Sequence, residues 1–161
     1  MLIMRMLHIL CGIWFISGLL GRWLAYAQAG RAADIQTVGA LLRLSDRFER
    51  LMAIPGSQAV LLFGLITAWL QGQPLLGVLQ GARSNWLLVS LALFVSAIPL
   101  VIFVLIPRRK RRANALEAAL ARGTITPELR AALANRAVIG SRVVELLIVA
   151  VILVLMILKP F

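Results

Sequence analysis

Polar chemistry is scarce in this chain. Its 161 residues include one histidine, one cysteine, one tyrosine and six acidic side chains. A lone cysteine forms no internal disulfide, so cysteine usage leaves the redox compartment open. No second histidine is available to pair, and no serine or cysteine nucleophile has a base at hydrogen-bonding spacing. A phosphate-binding glycine loop is also missing, as is a pair of carboxylates inside any apolar run. No catalytic constellation therefore emerges from the residue types present.

Apolar surface is what the chain has. Hydrophobic residues make up 61% and charged residues 14%, and the mean hydropathy is +0.95. That composition points to the bilayer as solvent rather than to a water-excluded core. A hydrocarbon layer of about 30 Å asks for roughly 20 apolar residues per helix. Three runs qualify, at about 2–27, 51–70 and 86–106; a fourth, 143–158, is shorter and carries Glu145, but its helical pattern extends upstream. Lipid-exposed backbone must satisfy its own hydrogen bonds, so all four are read as helices. The expected fold is all-α, a single four-transmembrane-helix bundle.

The formal net charge of +11 reflects 17 Lys and Arg. Arg31, Arg43, Arg47 and Arg50 lie between the first two spans. Arg108, Arg109, Lys110, Arg111, Arg112, Arg122, Arg130, Arg136 and Arg142 lie between the last two. Arg5, Arg83 and Lys159 are the only basic residues of the opposite side, and Arg22 sits within the first span. Thirteen against three places the first and third loops in the cytoplasm and both termini outside, in a bacterial inner membrane. Arg5, the following apolar run and "AYAQA" also fit a cleavable leader. Cleavage there would turn the nine-charge loop outward, so the first segment is read as a retained helix.

Residues 30–50 form a cytoplasmic segment in which Asp34 can cap a helix. Its apolar residues Ile35, Val38, Leu41, Leu42, Phe48 and Leu51 fall near helical spacing. It either lies in the inner interface before a turn at "IPG" or extends the second span straight. Residues 107–142 are read as a basic cytoplasmic hairpin that extends helices three and four, closed by Leu116, Leu120, Leu129 and Leu133. Gly123 ends its first arm. Thr126 caps the second, with Pro127 at the first helical position, and nothing stronger than Gly140 interrupts the run to Leu158, about 32 residues. Pro99 is read as a kink. Arg108, Arg109, Lys110, Arg111 and Arg112 are read as an anchor on anionic inner-leaflet lipid, contributing about 1 kcal/mol per charge. They lack the interleaved aromatics that stack bases, so no nucleic-acid partner is expected.

Ionisable groups inside a span cost about 2.5–3.5 kcal/mol near its centre and need a reason. Arg22 and Glu145 fall at similar depth, and a salt bridge between the first and last helices accounts for both. Alternatively, Arg22 snorkels to phosphate and Glu145 reaches water. His8 and Cys11, three residues apart, share a helix face with Gly12, Phe15, Gly18, Leu19 and Arg22, a seam of small residues suited to close helix contact. No carboxylate accompanies them in the outer half, so no metal site is expected. Cys11 is read as a packing residue. His8 is by default a polar contact in the seam; as the alternative it is an axial ligand of haem b, with Met156 near the outer end of helix four as a second ligand.

The stretches "LHILCGIWFISGLLGR", "DRFERLMAIPGSQAVLLFGL", "WLLVSLALFVSAIPLVIFVLIPRRKRR" and "LMILKP" resemble the predicted integral membrane proteins grouped as domain of unknown function 2269, over nearly the whole chain. That resemblance implies a four-helix bacterial membrane protein and assigns no activity. The first helix alone, with "LHI" and a later Gly-Leu-Leu, is also similar to that of the haem-associated four-helix protoporphyrinogen oxidase family, which implies His8 as the haem residue. The primary expectation is a non-catalytic structural, accessory or assembly subunit that contacts other membrane proteins or a second copy of itself and needs no cofactor. The alternatives are a haem-binding redox protein ligated through His8, and small-molecule binding or transport within the bundle, which calls for a wet cavity near Arg22 and Glu145.

Overall fold

The computed structural model describes residues 2–81 and 84–160; Arg83 of the second loop lies outside them. All regular structure among the described residues is helical. Helix α1 spans Leu2–Ala29. Helix α2 (Ile35–Phe48) continues through a π-helical segment (Glu49–Ala53) into α3 (Ile54–Leu70). A short 3-10 turn, Gly77–Gln80, precedes α4 (Trp86–Pro99). That helix passes through a second π segment (Leu100–Leu105) into α5 (Ile106–Arg122), followed by α6 (Pro127–Leu133) and α7 (Arg136–Leu158). Four stretches, of 28, 36, 37 and 32 residues, are long and apolar enough to cross a membrane. At 1.5 Å per residue the longer ones reach about 54 Å, well past the hydrocarbon layer.

Of the two readings of residues 30–50, the structure takes the straight extension. The chain does not turn at Ile54-Pro55-Gly56; it runs as one helix from Ile35 to Leu70. Proline costs a helix one backbone donor and clashes with the carbonyl four residues back. Here the strain is relieved by widening the preceding turn, where Ile54 N–H donates to the Glu49 carbonyl, five residues back. The second π segment stands in the same relation to Pro107, with Ile106 N–H donating to Val101 O. Both prolines are thus carried inside long helices by single wide turns.

The fourth helix differs from the expectation of an unbroken run. It is interrupted at Ala134 and Asn135, and Asn135 starts α7 as an N-cap whose side chain accepts from the N–H groups of Ala137 and Val138. A polar cap residue at the right point outcompetes good helix formers on both sides. Gly140, the only breaker noted in the sequence, lies inside α7. Asp34 accepts from Thr37 N–H at 2.8 Å, Thr126 Oγ1 accepts from Leu129 N–H at 3.3 Å, and Gly123 closes α5 with φ 69°.

The spans form a row rather than a closed ring. Helix α1 packs most closely on α3, α7 on α4, and α1 meets α7 only sparsely, so α3 and α4 stand at the two edges. The α1–α3 contact is made through glycine: a Cβ at Gly18 would lie 2.6 Å from Met52 Cβ and 2.8 Å from Ala53 N, and one at Gly56 would lie 2.9 Å from Phe15 Cα. Leu146 and Val149 of α7 meet Phe15, Leu19 and Ala53 in a small core. At the opposite, charge-bearing end a larger core gathers Tyr26, Ala29, Ile35, Val38, Leu42, Ala119, Leu129, Leu133 and Val138. The hairpin leucines join it, Leu129 and Leu133 fully and Leu116 and Leu120 in part, so the α5–α6 arm rests on α2 and the end of α1 rather than protruding freely.

Candidate functional site

Arg22 and Glu145, the charged residues within the first and last spans singled out above, converge with Glu49 where the row meets that larger core. Arg22, one turn before Tyr26 on α1, donates from Nη1 to Glu49 Oε2 at 2.9 Å and from Nη2 to Glu145 Oε2. The structure therefore brings Arg22 and Glu145 together and adds Glu49, placed by the π segment of the second long helix. One guanidinium links three helices, each of which hides polar surface that lipid would not solvate.

Around this clamp lies a second layer. Ser45 Oγ donates to the Arg22 carbonyl at 3.1 Å, and Arg142 Nη1 donates to the same oxygen at 3.5 Å. The guanidinium of Arg142 stacks 4.2 Å from the Tyr26 ring centroid, with that of Arg112 at 5.3 Å. Tyr26 Oη reaches the carbonyls of Ala132 and Leu133, each at 3.2 Å. Those carbonyls end α6 just before the break at Asn135 and would otherwise lack an intrahelical partner. Arg112 donates to Asp46 at 2.9 Å, and Arg109 faces the same carboxylate at 3.4 Å.

The five-residue basic run is thus divided. Arg112 is 7% exposed and turned into the protein, Arg109 pairs with Asp46, and Arg108 donates to Val104 O, while Lys110 and Arg111 remain on the surface. Glu49, Asp46, Tyr26, Arg112 and Arg142 were not singled out from the sequence as parts of a buried site. Their spacings nevertheless carry a signal: Arg22 with Tyr26, Ser45 with Glu49, Arg109 with Arg112 and Arg142 with Glu145 are each three or four residues apart, so each pair shares a helix face.

A cavity of about 40 Å³ opens beside the cluster. Arg22, Arg108, Arg109, Arg112 and Arg142 line it with Tyr26 and Glu49, and Val101, Leu105 and Ile106 form an apolar wall. It lies by Arg22, with Glu49 rather than Glu145 on its wall. Arg22 Nε and Arg142 Nε are buried with no acceptor among the described residues.

His8 lies elsewhere, near the far end of α1. Its Nδ1 donates to Val60 O of α3 at 3.0 Å, and a Cβ at Gly64 would stand 2.9 Å from its Cε1. Cys11 is free and half-buried. Met156 is half-buried on α7, the helix that α1 meets only sparsely. Among the described residues, no three His, Cys, Asp or Glu side chains gather as metal ligands.

Compared with known proteins, the chain matches a family model described as predicted integral membrane protein (DUF2269), over residues 2–160. The resemblance of the first helix to the haem-associated oxidase family has no support in that match. No curated protein and no solved structure matches the chain.

Proposed function

For a chain that belongs to the DUF2269 family of predicted integral membrane proteins, we propose a non-catalytic role as an accessory or assembly subunit of a larger membrane complex. The bacterial inner membrane is its place, with the arginine-rich end in the cytoplasm and both termini outside. The observation that carries this reading is the open row of helices. A ring of four helices buries its inner faces against itself, whereas α3 and α4 are edges, with Leu62 and Trp69 of α3 exposed by 56 and 74% and Phe103, in the π segment that continues α4, by 74%. Such edges suit lateral packing by helices of another subunit, which in lipid depends on close fit rather than on the hydrophobic effect. Purification in mild detergent with mass spectrometry of the co-purifying proteins tests it. A stoichiometric membrane-protein partner is expected, and a strictly monomeric, cofactor-loaded protein overturns the proposal. Orientation is checked with Cys11→Ser protein carrying single cysteines at Asn114 or Gln73: a membrane-impermeant thiol reagent on whole cells should label only the second.

A second reading, haem b held by His8, has one supporting observation. Donation from Nδ1 to Val60 O leaves Nε2 as the ring nitrogen without a protein partner, the one an axial ligand would use. Met156 on α7 is the other candidate ligand. An absorption spectrum of the same preparation decides: a missing Soret band, or one unchanged in His8→Ala, removes this reading.

A further inference from the structure

Arg142 is the unusual member of the cluster. It is 5% exposed and, among the described residues, pairs with no carboxylate; it touches the Arg22 carbonyl and the Tyr26 ring, and its Nε has no acceptor there. A buried cation without an anion is costly, and an aromatic face offsets only part of that cost. The imbalance extends to the whole site. Five guanidiniums, of Arg22, Arg108, Arg109, Arg112 and Arg142, line the cavity, while the carboxylates bound to them are those of Asp46, Glu49 and Glu145. Three of the five arginines are at least nine-tenths buried, and two of those three keep an unpartnered Nε–H.

We propose that this cavity is a binding site for a phosphate group, supplied by the headgroup of an anionic phospholipid of the leaflet at this end of the protein. Planar guanidiniums match phosphate oxygens in paired hydrogen bonds, which a lysine cluster does not reproduce. The cavity of about 40 Å³ has room for roughly three waters, the scale of one phosphate group. The wall of Val101, Leu105 and Ile106 favours a lipid over a soluble phosphate: it leads from the arginines onto the apolar surface of the second π segment and the start of α5, where Ile106 is 56% exposed. An acyl chain has apolar contact there while its phosphate sits among the arginines. This is a seat inside the protein, distinct from the surface attraction that Lys110 and Arg111 exert on the leaflet.

The full-length protein in phosphatidylcholine nanodiscs, with and without phosphatidylglycerol, provides the test, read by thermal unfolding and by lipid retained in native mass spectrometry. Retention of phosphatidylglycerol over phosphatidylcholine is expected. Arg142→Gln should weaken that preference by roughly tenfold or more, as loss of a charge-assisted contact does. Arg108→Gln removes a cavity-lining charge that holds no carboxylate, so it keeps the test valid where Arg142→Gln fails to fold; a several-fold weakening is expected. Lys110→Gln removes one charge from the same run outside the cavity and should leave the preference unchanged. Inorganic phosphate added to pure phosphatidylcholine nanodiscs should not reproduce the stabilisation; if it does, the lipid source is overturned. Equal retention of the two lipids overturns the site itself, and so does a preference that falls equally in Arg108→Gln and Lys110→Gln.

Discussion

The two ends of the molecule are held together by different physics. At the arginine-rich end, Val38, Leu42 and Leu129 are at most 1% exposed, and a network of guanidiniums and carboxylates surrounds the core they form with Tyr26. At the other end, large apolar side chains face outward along every span, and helices approach through glycine, as at Gly18 and Gly56. The first end resembles a small water-soluble core, where burial of apolar area stabilises the fold. In the second, lipid is as apolar as leucine, so packing distance rather than burial decides. The difference explains why Arg22 lies at the junction: it joins the last polar layer of one region to the first apolar layer of the other.

Mutations at the junction should have the largest effect. Arg22→Met leaves the buried Glu145 and the half-buried Glu49 without their cation, an expected loss of about 3–5 kcal/mol in unfolding free energy, measurable by denaturation in mixed micelles. Retained stability in that variant would mean that the carboxylates take up protons or water and that the clamp does not join the regions. Next come truncations that separate the regions directly. Leu42→Ala, in the water-type core, should cost about 2–5 kcal/mol. Leu62→Ala, 56% exposed on α3, should cost less than about 1 kcal/mol because lipid fills the space. Equal costs would erase the contrast. Gly18→Ala tests the lipid-facing end by its own rule: the new methyl meets backbone of the neighbouring helix, and overpacking of this kind costs about 1–3 kcal/mol. No change would show that α1 and α3 separate freely.

The smallest effect concerns the start of α2. Asp34 accepts hydrogen bonds from Thr37, which hold its carboxyl below the usual range. A carboxyl depressed in the folded state stabilises above its unfolded value, and that contribution is lost as pH falls through the folded one. Asp34→Asn keeps a capping oxygen without the titration. The variant's thermal midpoint should therefore fall less steeply on acidification than that of the parent, in the acid range below ordinary carboxylate values.

Much of the architecture was legible because its causes are local. Apolar length identified the four spans, and Asp34, Thr126 and Gly123 act at the helix ends where their side chains or backbone freedom place them. Asn135 was passed over because it follows a strong helix-forming stretch, and only the Tyr26 hydroxyl, arriving from α1, supplies acceptor satisfaction for the α6 end that the break creates. The site was half legible. Arg22 and Glu145 stood out as charges within apolar runs, whereas Glu49, Arg112 and Arg142 looked like ordinary members of charged loops. Glu49 and Arg112 reach the cluster because α2 continues straight into α3 and α5 continues straight out of α4, through wide turns at Pro55 and Pro107, and Arg142 meets them from α7.

By itself the sequence determined the solvent of each segment, because hydropathy and charge are additive along the chain and the bilayer reads them over about 20 residues at a time. It also determined most helix ends, since capping acts within one turn. The tertiary structure alone decided that the spans form a row, that one arginine bridges three helices, and that five guanidiniums share a cavity with too few carboxylates. Those outcomes join residues as much as 123 positions apart. They depend on how closely glycine lets α1 approach α3 and on where two prolines shift the helix register, quantities set by packing in three dimensions.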